Sequence, residues 1–220
     1  MTRTSTGTGT RTNATATPAA TPTPAATDQP PESRAARLIT DGLDPKTWII
    51  ADTLLTGWHT GRLAGIGWGL LGCLFTAVIP LAFIKYGIRR GRWADRHVGR
   101  RRQRIVVMTF ITGSVAIGIT ALWAFGAPRT MIALTSAMLA TLVALLAVTP
   151  AWKISVHAAV SCGSVALLAM TYGPLVLLAC PLIAVVGWSR VELADHTPAQ
   201  VLAGAAVGGA VAAGAFALIR

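Results

Sequence analysis

Residues 129–149 have the sequence RTMIALTSAMLATLVALLAVT, and after Arg129 this stretch carries no charge. A soluble domain averages about 25% charged residues, whereas this whole chain is 12% charged and 53% hydrophobic. Charge is also scarce throughout 105–220, and the chain is therefore predicted to be an all-α, polytopic membrane helical bundle. The charged residues of that region are Arg129, Lys153, Arg190, Glu192, Asp195 and Arg220.

Six apolar runs predict about six membrane-spanning helices, and four of the runs reach the ~20 residues that a hydrocarbon core ~30 Å thick requires. The two shorter runs are separated by Tyr172-Gly173-Pro174, which is typical of a tight turn. Gly204 and Gly208 form a small-xxx-small pattern that favours close helix packing. The runs lie at 64–84, 105–126, 129–149, 157–172, 174–188 and 198–219.

The chain before these runs is predicted to have two parts. Residues 1–45 are rich in Thr, Ala and Pro and poor in large apolar side chains, so we expect a disordered tail. Residues 46–62 are apolar but short, and Asp52 interrupts them, which predicts an interfacial amphipathic helix. The six-helix membrane domain then occupies 63–220.

Positive charge is concentrated in one segment, since nine of the 19 basic residues lie between Lys85 and Arg104. Such a cluster is typical of anionic-lipid or phosphate binding, or of the cytoplasmic side of a membrane. The surrounding hydrophobicity argues against a nucleic-acid partner. Six spans would bring this segment to the same side as 150–156 and 189–197. The charge bias predicts that this side is cytoplasmic and that the tail lies outside.

Two polar segments precede apolar runs on that side of the membrane. One has the sequence WKISVH (152–157), and the other has SRVELADHTPAQ (189–200). Each places a histidine near a helix N-terminus, whose unpaired N–H groups and positive dipole end favour anions. Two histidines beside a phosphate can act as nucleophile and general acid. The candidate site contains His157, His196, Lys153 and Arg190.

The second segment resembles a motif of the type 2 phosphatidic acid phosphatase superfamily, the integral-membrane lipid phosphate phosphatases. That motif is Ser-Arg, five residues, His, three residues, Asp, and here Gln200 stands in place of the Asp. The resemblance covers about 64–220. The matching residues are Ser189, Arg190 and His196.

The family's other two motifs are matched less completely. Ser155 and His157 are similar to the Ser and His of Pro-Ser-Gly-His. Lys85 and Arg92 have the spacing of Lys, six residues, Arg-Pro, although a tryptophan replaces the proline. The run Asp-Arg-His-Val at 95–98, followed by Arg101 and Arg104, resembles a basic signature of some prokaryotic members. We rank Lys153 first as the cation of this motif, then Arg101 and Arg104, then Lys85 with Arg92.

The resemblance implies hydrolysis of a lipid phosphate or diphosphate in the plasma membrane, without a metal or other cofactor. His196 would attack phosphorus and form a phosphohistidine, while His157 would protonate the leaving group and then activate water. Arg190, Ser155, Ser189 and the basic residues above would bind the phosphate oxygens. The lipid would be of the polyprenyl phosphate type or the phosphatidate type, and the glutamine is similar to that of members resembling dolichyl-diphosphate phosphatases.

Several of these residues have a structural interpretation as well. Gln200 could orient His196, or it could complete a capping box with Thr197. Ser155 could equally be a helix N-cap. The rival function is a non-catalytic membrane relative that binds anionic lipids through its basic loop, having lost turnover with the aspartate.

Overall fold

The computed structural model describes Thr2, Thr4, 33–92 and 101–220, and for Arg101 it describes the backbone alone. These residues contain α-helices joined by short turns, and no strand is found among them. A π-helical turn, Leu74–Val78, joins α2 to α3, and a 3-10 helix, Pro174–Ala179, precedes α7. The helices are α1 Arg34–Gly42, α2 Pro45–Cys73, α3 Ile79–Arg89, α4 Arg101–Ala124, α5 Arg129–Val148, α6 Val156–Tyr172, α7 Cys180–Glu192 and α8 Pro198–Ile219.

The protein is an all-α polytopic membrane bundle, which confirms the predicted fold class. Helical stretches long and apolar enough to cross a membrane are found at five places in the described part of the chain, and the shorter apolar α6 accompanies them. The predicted runs all fall on helices. The five stretches are Arg34–Arg89, Arg102–Ala124, Arg129–Val148, Pro174–Glu192 and Pro198–Ile219.

Helix α1 lies within the segment that was predicted to be a disordered tail. Ser33 caps it by accepting a hydrogen bond from the Ala36 N–H at 3.4 Å. Ala36 and Thr40 are buried, and the helix packs against α7. The prediction of disorder is therefore wrong for α1, because a few small side chains suffice to dock this helix. Residues 5–32, like 93–100 with the predicted basic signature, lie outside the described residues.

Helix α2 reverses direction at Gly61 and Arg62, where the backbone leaves helical geometry and Arg62 adopts φ 51°. We call 45–60 the first arm and 63–73 the second arm. A Cβ on Gly69 would lie 2.7 Å from the Thr53 carbonyl oxygen. Glycine is needed for this close approach, and the two arms form an antiparallel hairpin.

The first arm runs beside α6 over most of its length. Asp52 accepts a hydrogen bond from the Ser164 hydroxyl at 2.6 Å, and the His59 and Tyr172 rings lie 4.8 Å apart. The arm is thus inside the bundle, which differs from the interfacial helix predicted for 46–62. The physical reason is that Asp52, which interrupts the apolar run, has a polar partner on α6.

Helices α6 and α8 pack closely against each other near their N-terminal ends. A Cβ on Gly204 would lie 2.4 Å from the Ser155 carbonyl oxygen, and one on Gly208 would lie 2.1 Å from that of Ala159. This contact confirms that the predicted glycine pattern serves helix packing. It also brings the start of α6 next to the start of α8.

Candidate active site

The two predicted motifs meet where α6 and α8 begin. Ser155 caps α6 by accepting from the Ala158 N–H at 3.4 Å, and its own N–H donates to the Gln200 carbonyl at 3.2 Å. Thr197 caps α8, and Pro198 occupies the first turn, where it is favoured. The Ser155–Gln200 hydrogen bond therefore ties together two helix N-termini that are far apart in sequence.

His157, Arg190 and His196 line one cavity of about 390 Å³. Lys153 and Arg104 line it as well. The Lys153 ammonium donates to the Asp195 carbonyl at 2.6 Å, and the Arg104 guanidinium donates to the Ile154 carbonyl at 3.3 Å. The structure thus brings together both histidines and three of the cations that the sequence analysis proposed.

Arg190 is buried, with 3% of its surface exposed. Its guanidinium pairs with the Asp195 carboxylate at 2.7 Å. Its carbonyl oxygen accepts from the N–H groups of Asp195 and His196 at 3.2 and 3.1 Å, and Ala194 turns the chain with φ 53°. This turn places His196 on the cavity wall immediately before α8.

His196 sits among positive charges. Burial lowers its pKa most, and the cations Arg190, Lys153 and Arg104 lower it further, to about 4. Both ring nitrogens are buried and have no hydrogen-bond partner within the described part of the chain. At neutral pH the ring is therefore uncharged, and one nitrogen carries a lone pair suited to nucleophilic attack.

Other predicted site residues have structural roles or lie elsewhere. Gln200 accepts from the Thr197 N–H at 3.2 Å and completes a capping box. The buried Ser189 hydroxyl accepts from Thr40 at 3.1 Å and donates to the Val186 carbonyl at 2.8 Å. Five predicted residues do not line the cavity: Ser155, Ser189, Gln200, Lys85 and Arg92. The side chain of Arg101 lies outside the described residues.

Three carboxylates on the cavity wall were not proposed from the sequence: Asp44, Asp52 and Asp195. Asp44 caps α2 by accepting from the Lys46 N–H at 2.9 Å. The pair Asp44-Pro45 does predict a helix start, but no sequence signal connects it with residues more than a hundred positions away. Asp195 could be suspected from its place between Arg190 and His196.

The cavity is polar at one end and apolar along its depth. Most of the charged residues and both histidines line the end near the starts of α2, α6 and α8, whereas mainly aliphatic side chains from α3 to α6 line the remainder. Such a shape suits an amphipathic ligand with an anionic head and a hydrocarbon tail. Representative apolar wall residues are Ile84, Val107, Ile111, Leu142, Val160 and Leu167.

Comparison of the chain with protein families, curated proteins and solved structures gives no match. The family resemblance noted at 189–200 therefore stays a prediction. Within the described ranges, no three His, Cys, Asp or Glu side chains are grouped as metal ligands. The cavity and the residues that line it, His157, Arg190 and His196 among them, are therefore the basis for a functional proposal.

Proposed function

We propose that the protein hydrolyses a phosphate or diphosphate ester of a membrane lipid through a phosphohistidine intermediate. The observation that supports this proposal is that His157, Arg190 and His196 share one end of a cavity whose deeper walls are mostly apolar. A phosphate at the polar end would meet both imidazoles, and the lipid tail would occupy the apolar part. The motif resemblance points to the same chemistry, with a polyprenyl or phosphatidate lipid of the plasma membrane as substrate.

In the first step a ring nitrogen of His196 forms a bond to phosphorus. The bond from phosphorus to the leaving oxygen breaks, and its electron pair goes to that oxygen, which takes a proton from the His157 imidazolium. The leaving oxygen belongs to the lipid alcohol in a phosphate ester and to the lipid phosphate in a diphosphate ester. In the second step a water oxygen attacks the phosphohistidine while His157 takes the water proton. The N–P bond breaks, its electron pair returns to His196, and inorganic phosphate leaves.

The cations act on the charge that develops on the phosphoryl oxygens. Arg190, Lys153 and Arg104 lie on the wall of the same cavity, and preorganised positive charge in a site of low dielectric stabilises such a transition state. The Asp195 carboxylate forms an ion pair with the Arg190 guanidinium at 2.7 Å. An entering phosphate competes with it, so we expect Asp195 to move away from Arg190 when substrate binds.

The proposal is tested by phosphate release from polyprenyl diphosphate, polyprenyl phosphate and phosphatidate. The full-length protein is purified in detergent and assayed with EDTA. We expect release by the wild type, none by His196→Ala, and a loss of about 10²–10⁴-fold in His157→Ala, because a general acid contributes that much. An acid-labile phosphoryl group should be trapped on the wild type and not on His196→Ala.

The matched control for these variants is His59→Ala. His59 is exposed, lies against Tyr172 and does not line the cavity, so its removal should leave phosphate release unchanged. Release that persists in His196→Ala would overturn the mechanism. Equal losses in all three histidine variants would indicate general destabilisation rather than catalysis.

One observation favours the second candidate function, lipid binding without turnover. Gln200 is used in the capping box, and among the described residues none hydrogen-bonds either nitrogen of His196. In a serine-protease triad an acid orients the catalytic histidine, and no described residue does so for His196. Saturable binding of anionic lipids with no phosphate release from any substrate would support this alternative.

A further inference from the structure

Asp52 is a buried carboxylate in the deep part of the cavity that the phosphatase mechanism does not use. Its side chain is 1% exposed and lines the cavity wall. Oδ2 accepts a hydrogen bond from Ser164 on the facing α6 at 2.6 Å. Oδ1 is also buried, and nothing in the described ranges hydrogen-bonds it.

Other polar side chains on the deep wall are satisfied by their own helices. The Thr76 hydroxyl donates to the Gly72 carbonyl and the Thr141 hydroxyl to the Ala137 carbonyl, each at 2.9 Å. Buried polar groups are nearly always hydrogen-bonded, because an unsatisfied one costs free energy. Asp52 therefore differs from these neighbours in having a buried carboxylate oxygen with no hydrogen-bond partner among the described residues.

The distance from the catalytic end follows from helix geometry. Ser164 comes seven residues after His157 on α6, and a rise of about 1.5 Å per residue separates them by about 10 Å along the axis. Val160 lies between them on the cavity wall. A lipid whose phosphate lies beside His157 would thus pass Asp52 about 10 Å along its tail.

We propose that Asp52 and Ser164 form a second recognition site, which binds a hydroxyl or protonated amine on the tail of the lipid phosphate. Asp52 Oδ1 accepts the hydrogen bond, and Ser164 holds the carboxylate in place through Oδ2. The ligand class is then a lipid phosphate with a hydrogen-bond donor about 10 Å from phosphorus, rather than an entirely hydrocarbon tail. This inference rests on the proposed function to the extent that a lipid phosphate occupies the cavity.

The test uses phosphonates, which the protein does not hydrolyse. Hexadecylphosphonate is compared with analogues that carry one hydroxyl, either about 10 Å from phosphorus or at the chain end. Binding to the full-length protein in detergent is measured by isothermal titration calorimetry. One hydrogen bond to this buried acceptor predicts about tenfold tighter binding of the first analogue than of the plain phosphonate. The analogue hydroxylated at the chain end should show no such gain.

Variants identify the residue responsible. Asp52→Leu should bind the plain phosphonate at least as tightly as the wild type does, and it should lose the preference for the hydroxyl. Thr141→Val is the matched control and should keep the preference, because the Thr141 hydroxyl is already bonded to Ala137. If Asp52→Leu does not fold, the comparison of the two hydroxyl positions on the wild type still decides the question.

The outcomes separate this inference from the catalytic proposal. Equal affinity for all three phosphonates, or a preference that survives in Asp52→Leu, overturns the recognition site while leaving phosphate release intact. A clear hydroxyl preference without phosphate release overturns catalysis alone. Failure of every phosphonate to bind overturns the cavity as a lipid site, and with it both proposals.

Discussion

His196 is the residue whose behaviour depends most on its electrostatic surroundings. Burial and neighbouring cations lower its pKa from the usual 6.5 to about 4. In an unfolded chain the same ring would take up a proton near its usual pKa. The unfolded state therefore binds more protons as pH falls from 6.5 towards about 4, and through that window His196 makes the folded state less stable.

We predict that Lys153→Met raises the pKa of His196, because it removes one of the cations that disfavour the imidazolium. The measurement is an NMR titration of protein labelled with ¹⁵N-histidine, with the signal assigned by its loss in His196→Ala. Lys46→Met is the control, since Lys46 also lines the cavity but pairs with Asp44 at 3.3 Å. An unchanged titration in Lys153→Met would contradict this account of the site.

At this scale the sequence predicted which residues lie near one another better than it predicted their hydrogen-bond partners. His157, Arg190 and His196 could be proposed because their residue types and spacing point to phosphate binding. The role of Gln200 could not be settled, because capping and orienting use the same side-chain atoms. The Arg190–Asp195 pair depends on the left-handed turn at Ala194, and alanine gives no signal for that conformation.

At the scale of elements, the contact between α6 and α8 holds together the two segments that carry His157 and His196. We predict that Gly208→Ala destabilises the protein by about 1–3 kcal/mol, because the new Cβ would lie 2.1 Å from the Ala159 carbonyl oxygen. Phosphate release should fall as well, because displacement of α8 would disturb the Ser155–Gln200 hydrogen bond at its N-terminal end. Thermal unfolding in detergent and the phosphate assay measure the two effects.

Gly214→Ala is the control on the same helix. A Cβ at Gly214 would meet nothing within 4 Å, and alanine favours a helix over glycine by up to about 1 kcal/mol. This variant should be neutral or slightly more stable than the wild type. Comparable destabilisation by both substitutions would argue against the close contact and in favour of a general sensitivity of α8.

Apolar runs predicted most of these helices, because a lipid-facing helix must be hydrophobic over its whole length. The α2 hairpin could not be predicted in the same way. Its reversal uses Arg62 at φ 51°, a conformation that an arginine rarely adopts. Its first arm carries an aspartate whose partner, Ser164, is 112 residues away. From the sequence alone, a short apolar segment with one charge therefore resembles an interfacial helix. Only the fold shows that Asp52 has a hydrogen-bond partner inside the bundle.

At the scale of the whole molecule, α1 lies at the same end of the bundle as the segments that carry His157 and His196. The Thr40 hydroxyl donates to the Ser189 hydroxyl at 3.1 Å, and Asp44, which follows α1, lines the cavity. The count of six spans beginning at residue 64 predicted that the tail lies on the opposite side. That count did not include the first arm of α2 as a crossing. Three more basic residues thus join the catalytic end: Arg34, Arg37 and Lys46.

Two of the basic residues at the opposite end bind helix C-termini, whereas Arg62 lies over the Trp58 ring. The Arg129 guanidinium donates to the Ile219 carbonyl at the end of α8, and that of Arg220 donates to the Met170 carbonyl near the end of α6. Cations at helix C-termini are favoured by the dipole. Under the positive-inside rule, the asymmetry of charge between the two ends leads us to predict that the end with His157 and His196 faces the cytoplasm.

We predict that α1 and the end of α7 face the same compartment, and that this compartment is the cytoplasm. Single cysteines replace exposed Asp41, Glu192 or Phe125 in a chain whose three native cysteines are changed to alanine. Cells expressing each variant are treated with a membrane-impermeant maleimide. Asp41→Cys and Glu192→Cys should react after permeabilisation alone, whereas Phe125→Cys, in the turn after α4, should react in intact cells. Opposite labelling of Asp41→Cys and Glu192→Cys would contradict the hairpin topology, and a shared reversal relative to Phe125→Cys would contradict the cytoplasmic orientation.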